Sequence, residues 1–529
     1  MVAVVSTLLR TATWADVTRA LLCLAVVALL SIPLRALRRK LRIARGLAPL
    51  KGPKGAFLLG NIPNFIKHKD RIYDFLEERL HECGGIMKMP WHLFFDGAIY
   101  ISDPEHVKHI LATNFDNYVK PQGFLDAFHE VFAHSFFATN HAHNADNGAK
   151  WRLQRKVAAK VFTTSNFRHY TEHVFAKYTQ EMVETIDACM EKGQSCDMQA
   201  LCAQYTLRSI FDIAFGIPLE DVVDPLEFAN RMDFVNAHCA SRLFVKQYYK
   251  LLKWVMPSEH RLKRETDAIR GIADAILARR LDKSDDDLAA RSDILSLFIQ
   301  KARELEKGES DPSLLCVDTL RSIILTFIFA GRDTTAECIT YTFYGIARHP
   351  HVQRKIVEEL QTVLNGTGDA SLSYSDVRQL KYLDAVVYEA IRLYPALPYN
   401  VKMAVNDDHL PDGTFVPAGV DVVYSPWYMG RHNAIWGDDP LEFRPERWLE
   451  MKTRPSAFEF PAFQAGPRVC IGMSMALLEA KMCVAGVLHH VDVRIPASES
   501  QERGYVLKSG LFMAGGLPLE SKRRDAGAA

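Results

Sequence analysis

Phe463-Gln464-Ala465-Gly466-Pro467-Arg468-Val469-Cys470-Ile471-Gly472 sets one thiol in a loop bounded by glycines. Gly466 and Gly472 remove side chains on either side of the sulfur, so the backbone can turn tightly and approach a ligand closely. Arg468 adds a permanent cation two residues before the thiol. From Ser474 onward the chain reads as a helix with Met475, Leu478 and Met482 on one face. Cys470 therefore sits just ahead of a helix N-terminus, which favours a thiolate. A thiolate held this way can be the axial ligand of a haem iron. A buried structural cysteine is the usual fate of a free cysteine in a core, but the Gly-x-Arg-x-Cys-x-Gly spacing argues against it.

The ten residues match, position by position, the haem-binding signature Phe-x-x-Gly-x-Arg-x-Cys-x-Gly, and in this the chain resembles the cytochrome P-450 family. The resemblance implies a mainly α fold with a smaller β region and a haem b whose iron Cys470 ligates. Phe463, Gly466, Arg468 and Gly472 would then border the cofactor.

At 529 residues the length prior suggests domains of about 150 residues each. The motifs instead divide the chain into a membrane anchor and basic hinge over residues 1–50 and one haem-thiolate catalytic domain over 51–529. With 48% apolar and 24% charged residues the composition is that of a globular protein with a large core. A formal net charge of +1, with no basic stripe interleaved with aromatics, gives no reason to expect nucleic acid. The ten cysteines are scattered, without Cys-x-x-Cys pairs, which fits free thiols in a reducing compartment.

Ala20 to Leu34 is an uncharged apolar run, followed by Arg35, Arg38, Arg39, Lys40, Arg42 and Arg45. A spanning helix needs about 20 residues, and Val17 to Leu37 reaches that length with its end arginines snorkelling. The basic flank is wrong for signal-peptide cleavage and keeps the rest of the chain on the cytoplasmic side. The expected location is the endoplasmic reticulum membrane, through a single N-terminal anchor. Asn365-Gly366-Thr367 would then never meet the glycosylation machinery.

Lys120 to Lys150 reads as a long loop rich in Phe and His, its histidines (His129, His134, His141, His143) solvated rather than metal-bound. Trp151 and Arg155 share one helix face, and Arg152, Lys156 and Lys160 form a second row. By resemblance, Trp151 and Arg155 meet a haem propionate, the outer row faces an electron donor, and Phe124, Phe128, Phe132, Phe136 and Phe137 line an apolar pocket. Leu281 to Asp293 reads as a solvated charged linker. Val317 to Arg348 is the longest helix, with Asp318 as N-cap and His349-Pro350 as stop. In its middle Ala330-Gly331-Arg332-Asp333-Thr334-Thr335 weakens the helix locally. That conflict points to function. Ala330 and Thr334 leave a small-residue notch, which resembles the family's dioxygen groove, so Ala330 and Gly331 would face the haem while Thr334 and Asp333 deliver protons. A helix-packing notch is the alternative.

Glu389-x-x-Arg392 resembles the family's Glu-x-x-Arg motif, with Arg447 as third partner. Past Pro395 the chain reads as short strands at Tyr399 to Val405, Thr414 to Pro417 and Val420 to Tyr424. Lys402 stands where the family often has a propionate-binding Arg. Leu397, Pro398 and Tyr399, with Leu511, Phe512 and Met513, would border the substrate pocket.

Two electrons are needed, the chain has no G-x-G-x-x-G loop, and only 59 residues follow Cys470. The resemblance therefore implies a separate NADPH-dependent cytochrome reductase, with O2 and a lipophilic small molecule as substrates. Within the family, Ala330 to Thr334, Leu410 to Gly419 and Met429-Gly430-Arg431 look most like the fatty-acid and alkane terminal (omega) hydroxylases of plants and fungi. A lyase or isomerase acting on fatty-acid hydroperoxides, a monooxygenase of another lipid such as a sterol, and a haem-binding protein without turnover are the alternatives. The Asp333-Thr334 pair argues against the lyase.

Overall fold

The computed structural model describes residues 34–524 apart from 57–58, 91–94, 142–144, 246–248, 292, 308–315 and 365–371. Most of the predicted membrane span, His143 and the Asn365-Gly366-Thr367 acceptor lie outside the described residues. Among the described residues no helix is long and apolar enough to cross a membrane.

Helices dominate, and they pack around Val317–Arg348, a 32-residue helix buried along nearly its whole length. The predicted ends hold, but the N-cap is Cys316. Asp318 lies inside the first turn and pairs with Arg321 at 2.6 Å instead. Met198–Phe215 lies along this helix on one side, with Lys381–Leu393 and Met473–His490 on others. Such a helix must be apolar all round, and Leu325, Ile328, Ile339, Phe343 and Ile346 supply that.

The β region follows the predicted strands. A five-stranded sheet runs in the order Ile86–Met89, Ala98–Ile101, Asp421–Tyr424, Asn400–Ala404, Tyr118–Val119. The Ala98–Ile101 pair with Asp421–Tyr424 is parallel, the others antiparallel. Tyr505–Leu507 and Leu511–Met513 form a hairpin near the carboxyl end. The Leu511 amide donates to the Ala396 carbonyl at 2.9 Å, so this hairpin adjoins Leu397 and Pro398.

Four expectations change. The basic segment after the apolar run is a helix over residues 34–46, not a hinge. Lys40 pairs with Asp96 at 3.0 Å, Arg42 with Asp407 at 3.0 Å, and Arg39 donates to the Gly419 carbonyl at 3.0 Å, with Ile43 fully buried beneath them. Lys120 to Lys150 is not a loop throughout: Gln122–Ala127, His129–Phe132 and the start of Ala145–Ala159 are helical, because the phenylalanines find a helix to pack on. The linker ends in a buried pair, Asp293 with Arg280 at 2.6 Å. Finally, Cys189 and Cys196 are joined, their Cα atoms 6.2 Å apart. A left-handed Gly193 reverses the chain after helix Ala176–Glu191 and brings the second sulfur back, which cysteine spacing alone does not reveal.

Candidate active site: a thiolate loop, a helix groove and unpaired cations

The Cys470 loop is fixed at both ends. Its amide donates to the Phe463 carbonyl at 2.8 Å, closing the loop behind the sulfur. Gly466 has φ +63°, and a Cβ there would stand 2.1 Å from the Leu111 carbonyl oxygen, so conformation and space both exclude a side chain. Gly472, the N-cap of Met473–His490, is different: nothing lies within 4 Å of where its Cβ would be. Burial pushes the Cys470 thiol above its ordinary value, and hydrogen bonding from the Gly472 and Met473 amides, with the Arg155 guanidinium, works the other way. Cys470 has free surface although protein encloses it. The sulfur therefore faces an internal space.

Ala330 also has free surface, in mid-helix between buried Phe329 and buried Arg332. Phe136 ties the two places together. Its carbonyl accepts from Arg468 at 3.3 Å and its ring packs on Phe327 at 5.8 Å, while Phe132 meets Phe329 edge-on at 6.0 Å. Thr334 borders the same space and donates its hydroxyl to the Ala330 carbonyl at 2.6 Å. Gly331 does not face it in the same way: a Cβ there would stand 2.8 Å from Ile210 Cγ1, so this glycine answers to packing against Met198–Phe215. The Thr206 hydroxyl, from that helix, donates to the Arg332 carbonyl at 2.9 Å. The two readings of the notch thus divide between neighbouring residues.

Asp333 is buried and its oxygens are taken, one by Asn236 at 2.5 Å and one by Arg332 at 3.0 Å. Arg332 also pairs with Asp233. Burial raises the Asp333 carboxyl, and Arg332 pulls it down.

Buried cations lie near the thiolate loop. Arg468 donates to the Thr139 carbonyl at 2.6 Å and lies over the Trp151 ring at 4.8 Å. Burial, then Arg155, brings its guanidinium down to about 10. Lys402 is 4% exposed, and burial, then Arg468, lowers its ammonium to about 7. Lys120 sits over the Phe137 ring at 3.5 Å and is lowered by burial, then by Arg468 and Lys402. Among the described residues no carboxylate pairs with Arg468, Lys402 or Lys120. Trp151 is buried with its Nε1 unpartnered, and Arg155 donates to the Val469 carbonyl at 2.8 Å. Buried charge without a partner is costly. An anionic, flat group with carboxylates at one edge would meet these cations and the Trp151 N–H, and haem b with its propionates fits that description.

Sequence reasoning passed over two residues here. Lys120 carried no mark that separates a buried lysine from a surface one. His141, expected to be solvated, is buried instead. It stacks on Phe115 at 3.7 Å, its Nε2 is 3.0 Å from the Phe115 carbonyl, and its Nδ1 is 3.3 Å from Arg468. Burial, with Arg468, takes its imidazole down to about 4, so it is neutral and accepts from the arginine.

Beneath the loop, Glu389 and Arg392 are fully buried and Arg447 nearly so. Arg392 forks onto Glu389 with two bonds of 2.8 Å, and Arg447 reaches it at 2.9 Å. Outside the site, Arg152, Lys156 and Lys160 are exposed on the face away from Trp151.

Comparison with known proteins agrees with this geometry. Residues 50–513 match the Cytochrome P450 family. The chain is similar to Cytochrome P450 94A1 of Vicia sativa, at 32% identity over 90% of this chain and 91% of that protein. It is also similar to Cytochrome P450 704B1 of Arabidopsis thaliana, at 31% identity over 90% of this chain and 95% of that protein. Cytochrome P450 94C1 of Arabidopsis thaliana is 33% identical over 81% of this chain and 85% of its own length. With its thiolate loop, helix groove and unpaired cations in one place, the chain belongs to the cytochrome P450 family.

Proposed function

We propose that this monooxygenase hydroxylates the terminal region of a long aliphatic chain, a fatty acid foremost. The observation that carries the reading is the apolar lining beside Ala330: Phe128, Phe132 and Phe136 reach the long helix from one side, and Leu511–Met513 reaches it from another. A narrow apolar space accepts an acyl chain more readily than a polar or charged substrate.

Haem b, held through a cysteine thiolate as throughout the family, supplies the activation of O2 that permits attack on an unactivated carbon–hydrogen bond. Cys470 would be its ligand. Arg468, Lys402, Trp151 and Arg155, joined by Lys120, would neutralise and orient the propionates, with Phe463, Gly466 and Gly472 shaping the loop. Ala330 keeps the groove open, and Gly331 lets the helix sit close to Ile210. Thr334 holds its proton toward the Ala330 carbonyl and can turn it into the groove; Asp333 stands one residue behind it as the proton source. Electrons reach the site from a redox partner, here an NADPH-dependent reductase docked on Arg152, Lys156 and Lys160. Ala20 to Leu34 would anchor residues 51–529, as one catalytic domain, to the cytoplasmic face of the endoplasmic reticulum.

The test is incubation of purified protein with reductase, NADPH and a panel of fatty acids, with the hydroxyl located by mass spectrometry. Hydroxylation at or next to the methyl end is the expected result. Hydroperoxide consumption without any NADPH-dependent product would replace this reading with the lyase.

A further inference from the structure

We propose that Glu337 is a positioning residue for the monooxygenase reaction, a buried carboxyl that passes a proton to Asp333 from behind the groove and is refilled from the Lys508 side of the hairpin.

At about 3.6 residues per turn, position 337 falls in angle between Asp333 and Thr334, one turn further along, on the face that also carries Ala330. Glu337 is 2% exposed, and its Oε2 has no hydrogen-bond partner. The Nε of Arg332, on the same helix, is likewise buried and unpartnered. The Met513 amide of the hairpin strand Leu511–Met513 acts on the Glu337 carboxyl as a hydrogen-bond donor. A buried carboxylate with an unmet oxygen is unstable in its charged form, so the site stabilises the acid. Burial, then the charge of Asp333, raises the Glu337 carboxyl, while Lys508 opposes.

The groups facing the pair are Arg332 and Tyr341 on the same helix, Asp233 and Asn236 on Pro225–Val245, Cys202 on Met198–Phe215, and Lys508 on the hairpin. Lys508 acts on both carboxyls and lies over Phe512 at 4.4 Å. Asp333, bonded to Arg332 and Asn236, is held as an acceptor and needs a donor beside it. Reducing one oxygen atom to water takes up protons at every turnover. In the step proposed, the Glu337 O–H bond breaks, Asp333 gains the proton, and Glu337 is left as a carboxylate. The Lys508 ammonium then returns a proton to Glu337 and is itself reprotonated by solvent. No electron moves in either transfer.

The inference rests on the monooxygenase reading and not on the substrate, and its test needs no substrate. Infrared spectra of the ferric holoprotein at neutral pH are recorded for wild type, Glu337→Gln and Lys508→Met, in water and after mixing into deuterium oxide. The expected result is a protonated-carboxyl band that Glu337→Gln removes while keeping the reduced carbon monoxide spectrum, with deuterium exchange of that band slowed at least tenfold in Lys508→Met. Should Glu337→Gln fail to assemble, Asp333→Asn serves, because loss of the neighbouring charge must shift the same band. A carboxyl spectrum unchanged by the substitution used, or an exchange rate unchanged in Lys508→Met, overturns the proposal.

Discussion

Replacing Glu389 by Gln tests the buried ion network under the thiolate loop, since the change keeps the shape and removes only charge and acceptor capacity. Glu389 accepts five hydrogen bonds. One oxygen takes Arg392 Nη2, Arg447 Nε and the Arg444 amide at 2.8 to 2.9 Å; the other takes Arg392 Nε and Trp448 Nε1 at 2.8 and 2.9 Å. An amide must turn its NH2 toward one of these sets, so at least two donors meet a donor. Two guanidiniums then remain buried with carbonyl oxygens as their only acceptors, among them those of Gly430, Trp436, Asp439 and Glu442. Stranding a buried charge in this way costs about 3–5 kcal/mol. Against a typical stability of about 5–15 kcal/mol, that removes a large share. The assay is urea unfolding of holoprotein followed by the reduced carbon monoxide spectrum. The expected outcome is a midpoint drop matching that loss and a low yield of haem-loaded protein. A Glu389→Gln holoprotein within about 1 kcal/mol of wild type would refute the reasoning, because the network would then be no more than a solvated pair.

Three further outcomes are expected. In the haem-free chain Lys402 has a value near 7, below the ordinary ammonium value, so folding stability falls as pH drops toward 7 and is level below it. An anion beside Lys402 raises that value, so haem uptake should capture a proton between pH 7 and about 10. Haem titrations should show affinity falling with pH in that window and a flatter profile in Lys402→Met; identical profiles would separate Lys402 from the propionates. Reversing charge at Arg152, Lys156 and Lys160 should slow reduction by the reductase in stopped-flow measurements without altering the haem spectrum, and unchanged kinetics would remove the docking role. Arg242, 3% exposed, joins Glu259 and reaches Glu130 at 2.8 Å, pinning the phenylalanine-bearing segment to the helices above it. Glu130→Gln should release a bound fatty acid about fivefold faster, since a partly exposed pair contributes about 1 kcal/mol; an unchanged off-rate would discount the latch.

The features legible in the sequence are those set by short-range rules. The long helix, the Cys470 loop and the strands after Pro395 announce themselves through apolar periodicity, glycine placement and turn residues. What stayed hidden depends on segments far apart in the chain. His141 is buried because Phe115 and Arg468 meet it, and Lys120 is buried because the Phe137 ring and the sheet close over it. The Cys189–Cys196 bond needs the Gly193 turn. Gly331 is a harder case: the weakened helix is visible in sequence, but only Ile210 shows that part of the weakness serves packing.

That division between Ala330 and Gly331 has a practical side for anyone reshaping this enzyme. Enlarging Ala330 subtracts room from the reaction chamber and leaves the scaffold alone, so it should redirect the position of attack along a chain. Enlarging Gly331 pushes on Ile210 and costs about 1–3 kcal/mol by overpacking. Adjacent letters in the sequence are thus separate controls, one on selectivity and one on durability, and a library that randomises both together will confuse misfolded variants with inactive ones.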